Sequence, residues 1–323
     1  MSDLIKIEKL SIGYPKREVC KNINATAKKG KLIGLCGKNG SGKSTLIRTL
    51  LGLQPKLSGR IEFQNENIDS WNLNKRSKEI SVVFSRLNRL PALTVYELAA
   101  LGRLPYSSGF SKITEEENEL IENSLEKVGI LNLKDRLVTQ LSDGQLQMAM
   151  IGRALVQDTD LVLMDEPTSH LDIENQFKIF ELIYKLSKET NKTFIVASHQ
   201  IELLIQNANR LWWIDSGEFY SGFPEQLAFE RQIFDKLSQQ KIKFDYSEGK
   251  FKFNHKAVKQ VSLNSNGNEL SYWVRHALER NGFEISENSN LKIDLNQNQI
   301  QLNHLKFDTI EELIRYLKKE NDE

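Results

Sequence analysis

Eight consecutive residues, Gly37-Lys38-Asn39-Gly40-Ser41-Gly42-Lys43-Ser44, carry the densest chemistry in this sequence. They follow an apolar run, Lys31 to Cys36, and lead into a helix-period stretch from Ser44 to Leu53. The pattern G-x-x-x-x-G-K-[ST] between a strand and a helix turns successive backbone N–H groups inward onto phosphate oxygens. Gly37, Gly40 and Gly42 permit that tight turn, Asn39 and Ser41 complete the loop, and the helix N-terminus favours an anion. Lys43 is suited to reach β- and γ-phosphates, the Ser44 hydroxyl to ligate Mg²⁺, and Thr45 to add a hydrogen bond. A glycine-rich turn with a solvated lysine would satisfy the pattern alone. The strand before it and the helix after it argue for phosphate binding.

A second element ends in two carboxylates: Leu161-Val162-Leu163-Met164-Asp165-Glu166. A buried strand delivers them at its C-terminal end, where ligands sit in doubly wound sheets. Asp165 is suited to hold Mg²⁺ through water, and Glu166 to polarise an attacking water. Acidic residues after a strand are common in loops, so the pair gains weight only from the phosphate loop in the same chain.

These groups need a scaffold. The chain has 323 residues, enough for about two domains. Leu4 to Ile12, Lys31 to Cys36, Ile80 to Phe84, Leu161 to Met164, Thr193 to Ala197 and Leu211 to Ile214 read as strands. Ser44 to Leu53, Glu115 to Val128, Gly144 to Val156 and Asn175 to Thr190 read as helices. The alternation predicts an α/β domain with a largely parallel sheet. Ser85 to Val156 carries almost no strand signal and reads as a helical insertion. Beyond Lys250, the alternating segments Lys259 to Leu263 and Leu291 to Leu295 accompany amphipathic helices at Glu269 to Arg280 and Thr309 to Lys319. They predict a small α+β domain at 250–323, joined through 231–249 to a first domain at 1–230. Tyr272, Trp273 and Phe283 are expected in its core.

The net charge of +1 argues against a general nucleic-acid partner, which needs a concentrated basic surface. Cys20 and Cys36 have no partner at metal-ligand spacing. Cys36, inside an apolar run, reads as a buried thiol, and nothing suggests a disulfide framework. There is no signal-peptide pattern and no apolar run near the roughly 18 residues of a membrane span. A soluble, cytoplasmic chain that meets a membrane through a partner is expected.

Phosphate loops serve kinases, GTPases, helicases and transport ATPases alike. Leu141-Ser142-Asp143-Gly144-Gln145 resembles the L-S-G-G-Q signature of ABC ATPases, in that family's order after the loop and shortly before Asp165. Ser169-His170-Leu171-Asp172 resembles its D-loop, Ser198-His199 its switch histidine, and Tyr14 the aromatic that stacks on adenine. The resemblance covers roughly residues 3 to 230. It implies a P-loop NTPase fold, a RecA-like core with an antiparallel β subdomain and a helical insertion at about 85–156. It further implies a homodimer clamping two ATP molecules, the phosphate loop of one copy facing Ser142, Gly144 and Gln145 of the other. His199 would then contact the γ-phosphate and orient water with Glu166.

Two positions depart from that pattern. Where the family has a glutamine sensing Mg²⁺ and the γ-phosphate, this chain has Ser85 and then Arg86. Serine can still bond a Mg²⁺-bound water but reaches less far, so altered coupling is expected rather than loss of ATP binding. Asp143 replaces a signature glycine and is expected to face solvent.

Leu93-Thr94-Val95-Tyr96-Glu97-Leu98 and Leu101-Gly102-Arg103-Leu104-Pro105-Tyr106 resemble a stretch of importer ATPases for iron–siderophore, haem and cobalamin-type cargo. That implies membrane-permease subunits as partners, an extracytoplasmic substrate-binding protein in the same system, and a peripheral position on the cytoplasmic face of the inner (plasma) membrane. Two other readings stand beside it: an ABC ATPase acting on DNA or the ribosome, and a regulatory ATP-binding subunit with weak hydrolysis. Neutral charge and the absence of a long coiled coil argue against the first. Lys43, Glu166 and His199 argue against the second.

Overall fold

The apolar run ahead of the phosphate loop forms an inner strand, β3 (Leu32–Gly37), buried at every residue. The computed structural model describes residues 3–85, 92–107, 112–230, 242–245, 250–253, 259–265, 267–287, 289–296 and 299–319. Its main sheet runs β10 (Glu218–Gly222), β9 (Arg210–Asp215), β3, β8 (Thr193–Ala197), β7 (Leu161–Asp165), β6 (Ile80–Phe84). From β9 to β6 all neighbours are parallel, and β10 is antiparallel to β9. Strands buried on both faces read as unbroken apolar runs. The parallel core expected from the sequence therefore stands.

A second, antiparallel sheet orders β2 (Arg17–Lys28), β1 (Asp3–Tyr14), β4 (Ser58–Phe63) and β5 (Glu66–Asn67). Helix α1 (Lys43–Leu50) contributes Leu46, Ile47 and Leu50 to one core shared by Ile5, Ile7 and Leu10 of β1 and by Ile33 and Leu35 of β3. Each of those three side chains is fully buried, contributing about 1.5–3 kcal/mol of apolar transfer. The helix that leaves the phosphate loop is thus anchored between the two sheets.

Helix α2 (Leu73–Glu79) precedes β6. The helical insertion holds α3 (Val95–Ala100), a 3-10 turn at Leu101–Tyr106, α4 (Glu115–Lys127) and α5 (Asp143–Val156). Among its described residues there is no strand segment, only an isolated bridge between Thr94 and Leu137. Reciprocal capping boxes, Thr94 with Glu97, Thr114 with Glu117 and Ser142 with Gln145, start α3, α4 and α5. Helices α6 (Ile173–Glu189), α7 (Ile201–Asn207) and α8 (Pro224–Phe229) complete this unit.

The chain divides into Met1–Lys236 and Leu237–Glu323. The second unit has a hairpin of β11 (Ile242–Asp245) and β12 (Lys250–Phe253). Its five-stranded sheet orders β14 (Phe283–Ile285), β13 (Lys259–Asn264), β15 (Lys292–Asn296), β16 (Gln299–Leu302) and β17 (Leu305–Phe307). Helices Glu269–Arg280 and Ile310–Lys319 share its core through Val274, Leu278, Leu313 and Leu317. Strand β11 lies inside the segment expected to link the units; most of that segment, and Arg86, fall outside the described residues.

One core expectation is corrected. Phe283 is buried, but Trp273 is 51% and Tyr272 39% exposed. The first helix of this unit turns Ser271, Val274, Ala277 and Leu278 inward, and adjacent aromatics on the opposite arc cannot follow. Trp273 packs instead against Tyr272 and His276, with ring centroids 5.1 and 6.1 Å away. Among the described residues no helix is long and apolar enough to cross a membrane.

Candidate functional site

The phosphate loop leaves β3 with Gly37 at φ 148°, where an added Cβ would stand 2.2 Å from the Ile214 carbonyl oxygen. Gly42, at φ 122°, closes the loop immediately before α1. Only glycine fits both turns. Lys43 is buried, and its ammonium donates to the carbonyls of Gly37 at 2.9 Å and Lys38 at 3.4 Å. The Ser41 hydroxyl oxygen is buried without a hydrogen-bond partner. An orphaned buried hydroxyl and an ammonium folded onto its own loop are what an anion would satisfy, so the loop fits a phosphate.

Around it lies a cavity of about 400 Å³ lined by Tyr14, Arg17, Val19, Asn39, Gly40, Gly42, Lys43, Ser44, Thr45 and Glu166. Tyr14 is 44% exposed at the end of β1, a ring available for stacking. The loop comes from β3 and the carboxylates from β7, with β8 between them. Ser44, the second residue of α1, bridges that gap by donating to Asp165 Oδ1 at 3.0 Å. Burial pushes the Asp165 carboxyl above the ordinary aspartate range, and the Ser44 hydroxyl partly offsets it. A desolvated carboxylate beside a hydroxyl suits a hard cation that keeps waters and phosphate oxygens as its remaining ligands, as Mg²⁺ does. Ser85 is half-buried just beyond Phe84, the residue that pairs with Asp165 across β6 and β7.

Glu166 takes the left-handed backbone at φ 54°, its N–H donating to Ala197 at 2.9 Å. A non-glycine residue held there is strained, and such strain gathers at functional sites. The bend turns its carboxylate towards Lys43, 3.7 Å away, and His199 Nδ1, 2.8 Å away. With Glu166 ionised, that contact puts the proton on Nδ1 and leaves Nε2 free to face a ligand. The loop after Glu166 is tied to the loop after β8, Thr168 Oγ1 donating to Gln200 Oε1 at 2.8 Å. Asp172 caps α6 by accepting from the Asn175 N–H.

Ser142, Gly144 and Gln145 are not among the residues lining this cavity. They start α5, where the Ser142 hydroxyl accepts from the Gln145 N–H at 3.3 Å and Gln145 Oε1 accepts from the Ser142 N–H at 3.1 Å. Asp143 is exposed in the first helical turn, as expected for a carboxylate favoured by the dipole. Cys36, beside the loop, is fully buried, and burial pushes its thiol up to about 12.

The structure adds residues the sequence did not single out. Arg17 and Val19 line the cavity because β2 folds back on β1, pairing Arg17 with Tyr14. Gln54 donates to the Gly13 carbonyl at 2.8 Å, fixing the residue before Tyr14. Buried Asp215 stands 3.8 Å from Lys38 of the loop. The signal for Arg17 was its place two residues beyond the turn start, visible only once β2 is known.

Comparison with known proteins agrees with this geometry. The ABC transporter family model matches residues 20–169, and the iron ABC transporter C-terminal domain model matches residues 258–318. The petrobactin import ATP-binding protein FpuD of Bacillus anthracis is 30% identical over 236 residues, 73% of this chain and 86% of its own. The ferric enterobactin transport ATP-binding protein FepC of Escherichia coli K12 is 32% identical over 221 residues, 68% of this chain and 82% of its own. Among solved structures, cbiO1 of Clostridium perfringens, part of the ABC transporter complex cbiONQ, superposes with a TM-score of 0.65 at 30% identity. It covers 73% of this chain and 95% of its own. The chain therefore belongs to the ATP-binding proteins of ABC transporters, which are ATPases.

Proposed function

We propose that this chain hydrolyses ATP to drive import of an iron complex, a siderophore or haem, or of a cobalamin-like cargo, through separate membrane-permease subunits. The observation that supports it most is the convergence on one cavity of Lys43, Ser44 and Glu166, with Asp165 hydrogen-bonded to Ser44 and His199 to Glu166. The iron ABC transporter C-terminal domain match and the import systems named for FpuD and FepC support the cargo class.

In this reading Tyr14 stacks on adenine, and the N–H groups of Asn39 to Thr45 together with Lys43 hold the phosphates. Ser44, and through water Asp165 and Ser85, would hold Mg²⁺, which would supply positive charge against the phosphates. Glu166 accepts a proton from the attacking water, while His199 orients Glu166 through Nδ1 and meets the γ-phosphate through Nε2. The substrate phosphates draw Lys43 off the Gly37 carbonyl. Ser142, Gly144 and Gln145 face the ATP of a second copy in this reading, which the family resemblance of the signature supports. Hydrolysis removes the group that bridges the two copies, so chemistry becomes an opening motion. The chain works peripherally at the cytoplasmic face of the inner (plasma) membrane, with an extracytoplasmic binding protein in the same system.

Co-purification tests this directly. The tagged chain, recovered from solubilised membranes, is expected to bring down a polytopic permease. Recovery with ribosomes or DNA instead would contradict the transport reading.

A further inference from the structure

The segment Gly102-Arg103-Leu104-Pro105-Tyr106 has no part in the cavity, yet it makes a dense set of contacts with the C-terminal end of α5. Gly102 lies so close that an added Cβ would stand 2.5 Å from the Arg153 carbonyl oxygen and 2.9 Å from the Gln157 nitrogen. Arg103 lays its guanidinium 4.0 Å from the centre of the Tyr106 ring. The same group donates to the Val156 carbonyl at 3.3 Å and to Glu117 of α4 at 3.2 Å. The Tyr106 hydroxyl lies 3.1 Å from the Gln157 carbonyl and 3.4 Å from that of Lys78 on α2. From the other side, the same end of α5 grips the core. Gln157 Nε2 donates to the carbonyls of Ser77 at 2.7 Å and Ile80 at 3.2 Å, and Arg153 donates to Val82 at 2.6 Å.

Helix α5 therefore has two very different ends. Its C-terminal turn is fastened on both sides, while its N-terminal turn, the signature, exposes Ser142 and Asp143 and tucks Gly144 against the Asn175 side chain of α6. Its 14 residues make a lever roughly 21 Å long, so a tilt of about 5° at the fastened end moves the signature by about 2 Å. A displacement of that size is enough to break hydrogen bonds to a phosphate.

We propose that Gly102, Arg103 and Tyr106 form a pivot that sets the angle of α5, making them positioning residues that aim Ser142, Gly144 and Gln145 at the ATP held by a second copy. The proposal rests on the two-copy reading above. It assigns a role to a motif that the ATP site leaves unused, and it predicts an effect on turnover without an effect on binding.

The test uses the full chain with Arg103→Ala, Arg103→Lys and Tyr106→Phe, assayed well below each variant's melting temperature. ATP affinity, measured by displacement of a fluorescent ATP analogue, is expected to stay within about twofold of the wild type, because the phosphate loop is untouched. At saturating ATP, kcat is expected to fall about tenfold for Arg103→Ala and about threefold for Tyr106→Phe. Arg103→Lys should lie between, since it can keep the carbonyl contact but loses the planar stack. An unchanged kcat with a lowered melting temperature, or affinity and kcat falling together, would overturn the pivot and leave a fold-stabilising seam. The parent reading fails separately: if Glu166→Gln stays monomeric with ATP, both are lost. If it dimerises while Arg103→Ala keeps its kcat, only the pivot is lost.

Discussion

Asp165 is a carboxylate that burial works against and that a cation would relieve. Its folded pKa lies above the ordinary value, so the folded chain holds that proton more tightly than the unfolded chain does. Without metal or nucleotide, the ionised group therefore costs stability at neutral pH, and the cost is relieved as pH falls through the raised value. Asp165→Asn keeps an acceptor for the Ser44 hydroxyl and removes the charge. It is expected to melt ~2 °C above the wild type at pH 7, a gap that closes as pH approaches the ordinary aspartate value near 4. A gap that does not change with pH would mean that desolvation is not what burdens this residue. The same substitution should abolish Mg²⁺-dependent turnover, so the stabilised variant would be the inactive one. Residues at such sites commonly trade stability for chemistry.

At the scale of elements, the signature shows how one residue can serve two ends. Ser142 caps α5 in a reciprocal box with Gln145 and is also the residue proposed to meet a γ-phosphate. The two roles can be separated. Ser142→Ala is expected to lose about 1 kcal/mol of stability with the cap. Ser142→Asp restores the cap but brings a negative charge towards phosphate, so stability should return while ATPase activity does not. Thermal melting and turnover measured on both variants check this; recovery of both by Ser142→Asp would refute the phosphate role. Elements were legible where pattern and burial agreed. Buried parallel strands β3, β7 and β8 announced themselves as apolar runs, and helix Glu269–Arg280 came from its amphipathic period. Strand β2 was missed because Ile23 is the one bulky side chain among its buried positions, the others being Cys20, Ala25 and Ala27, and it does not stand out from the polar residues between them. With β2 went Arg17 and Val19 of the cavity. Trp273 was misassigned because composition cannot say which arc of a helix faces inward when the neighbouring aromatic competes for it. The phosphate loop and the two carboxylates were legible because their spacing along the chain is the mechanism itself. Gln54 and Asp215 act through contacts distant in sequence, and no local pattern marks them.

In the proposed reading, the whole molecule holds half of an ATP site. Each chain carries a phosphate loop with its carboxylates, and each carries a signature that does not line its own cavity. The account therefore turns on a second copy closing over ATP. Glu166→Gln keeps the size and hydrogen-bonding reach of the side chain near His199 and Lys43 but cannot take a proton from water. The measurement is light scattering of Glu166→Gln with saturating ATP and Mg²⁺, against the same protein without nucleotide and against Glu166→Gln combined with Lys43→Ala. The account predicts a dimer of twice the monomer mass only for Glu166→Gln with ATP. A monomer under that condition, or a dimer indifferent to ATP and to Lys43, would contradict it.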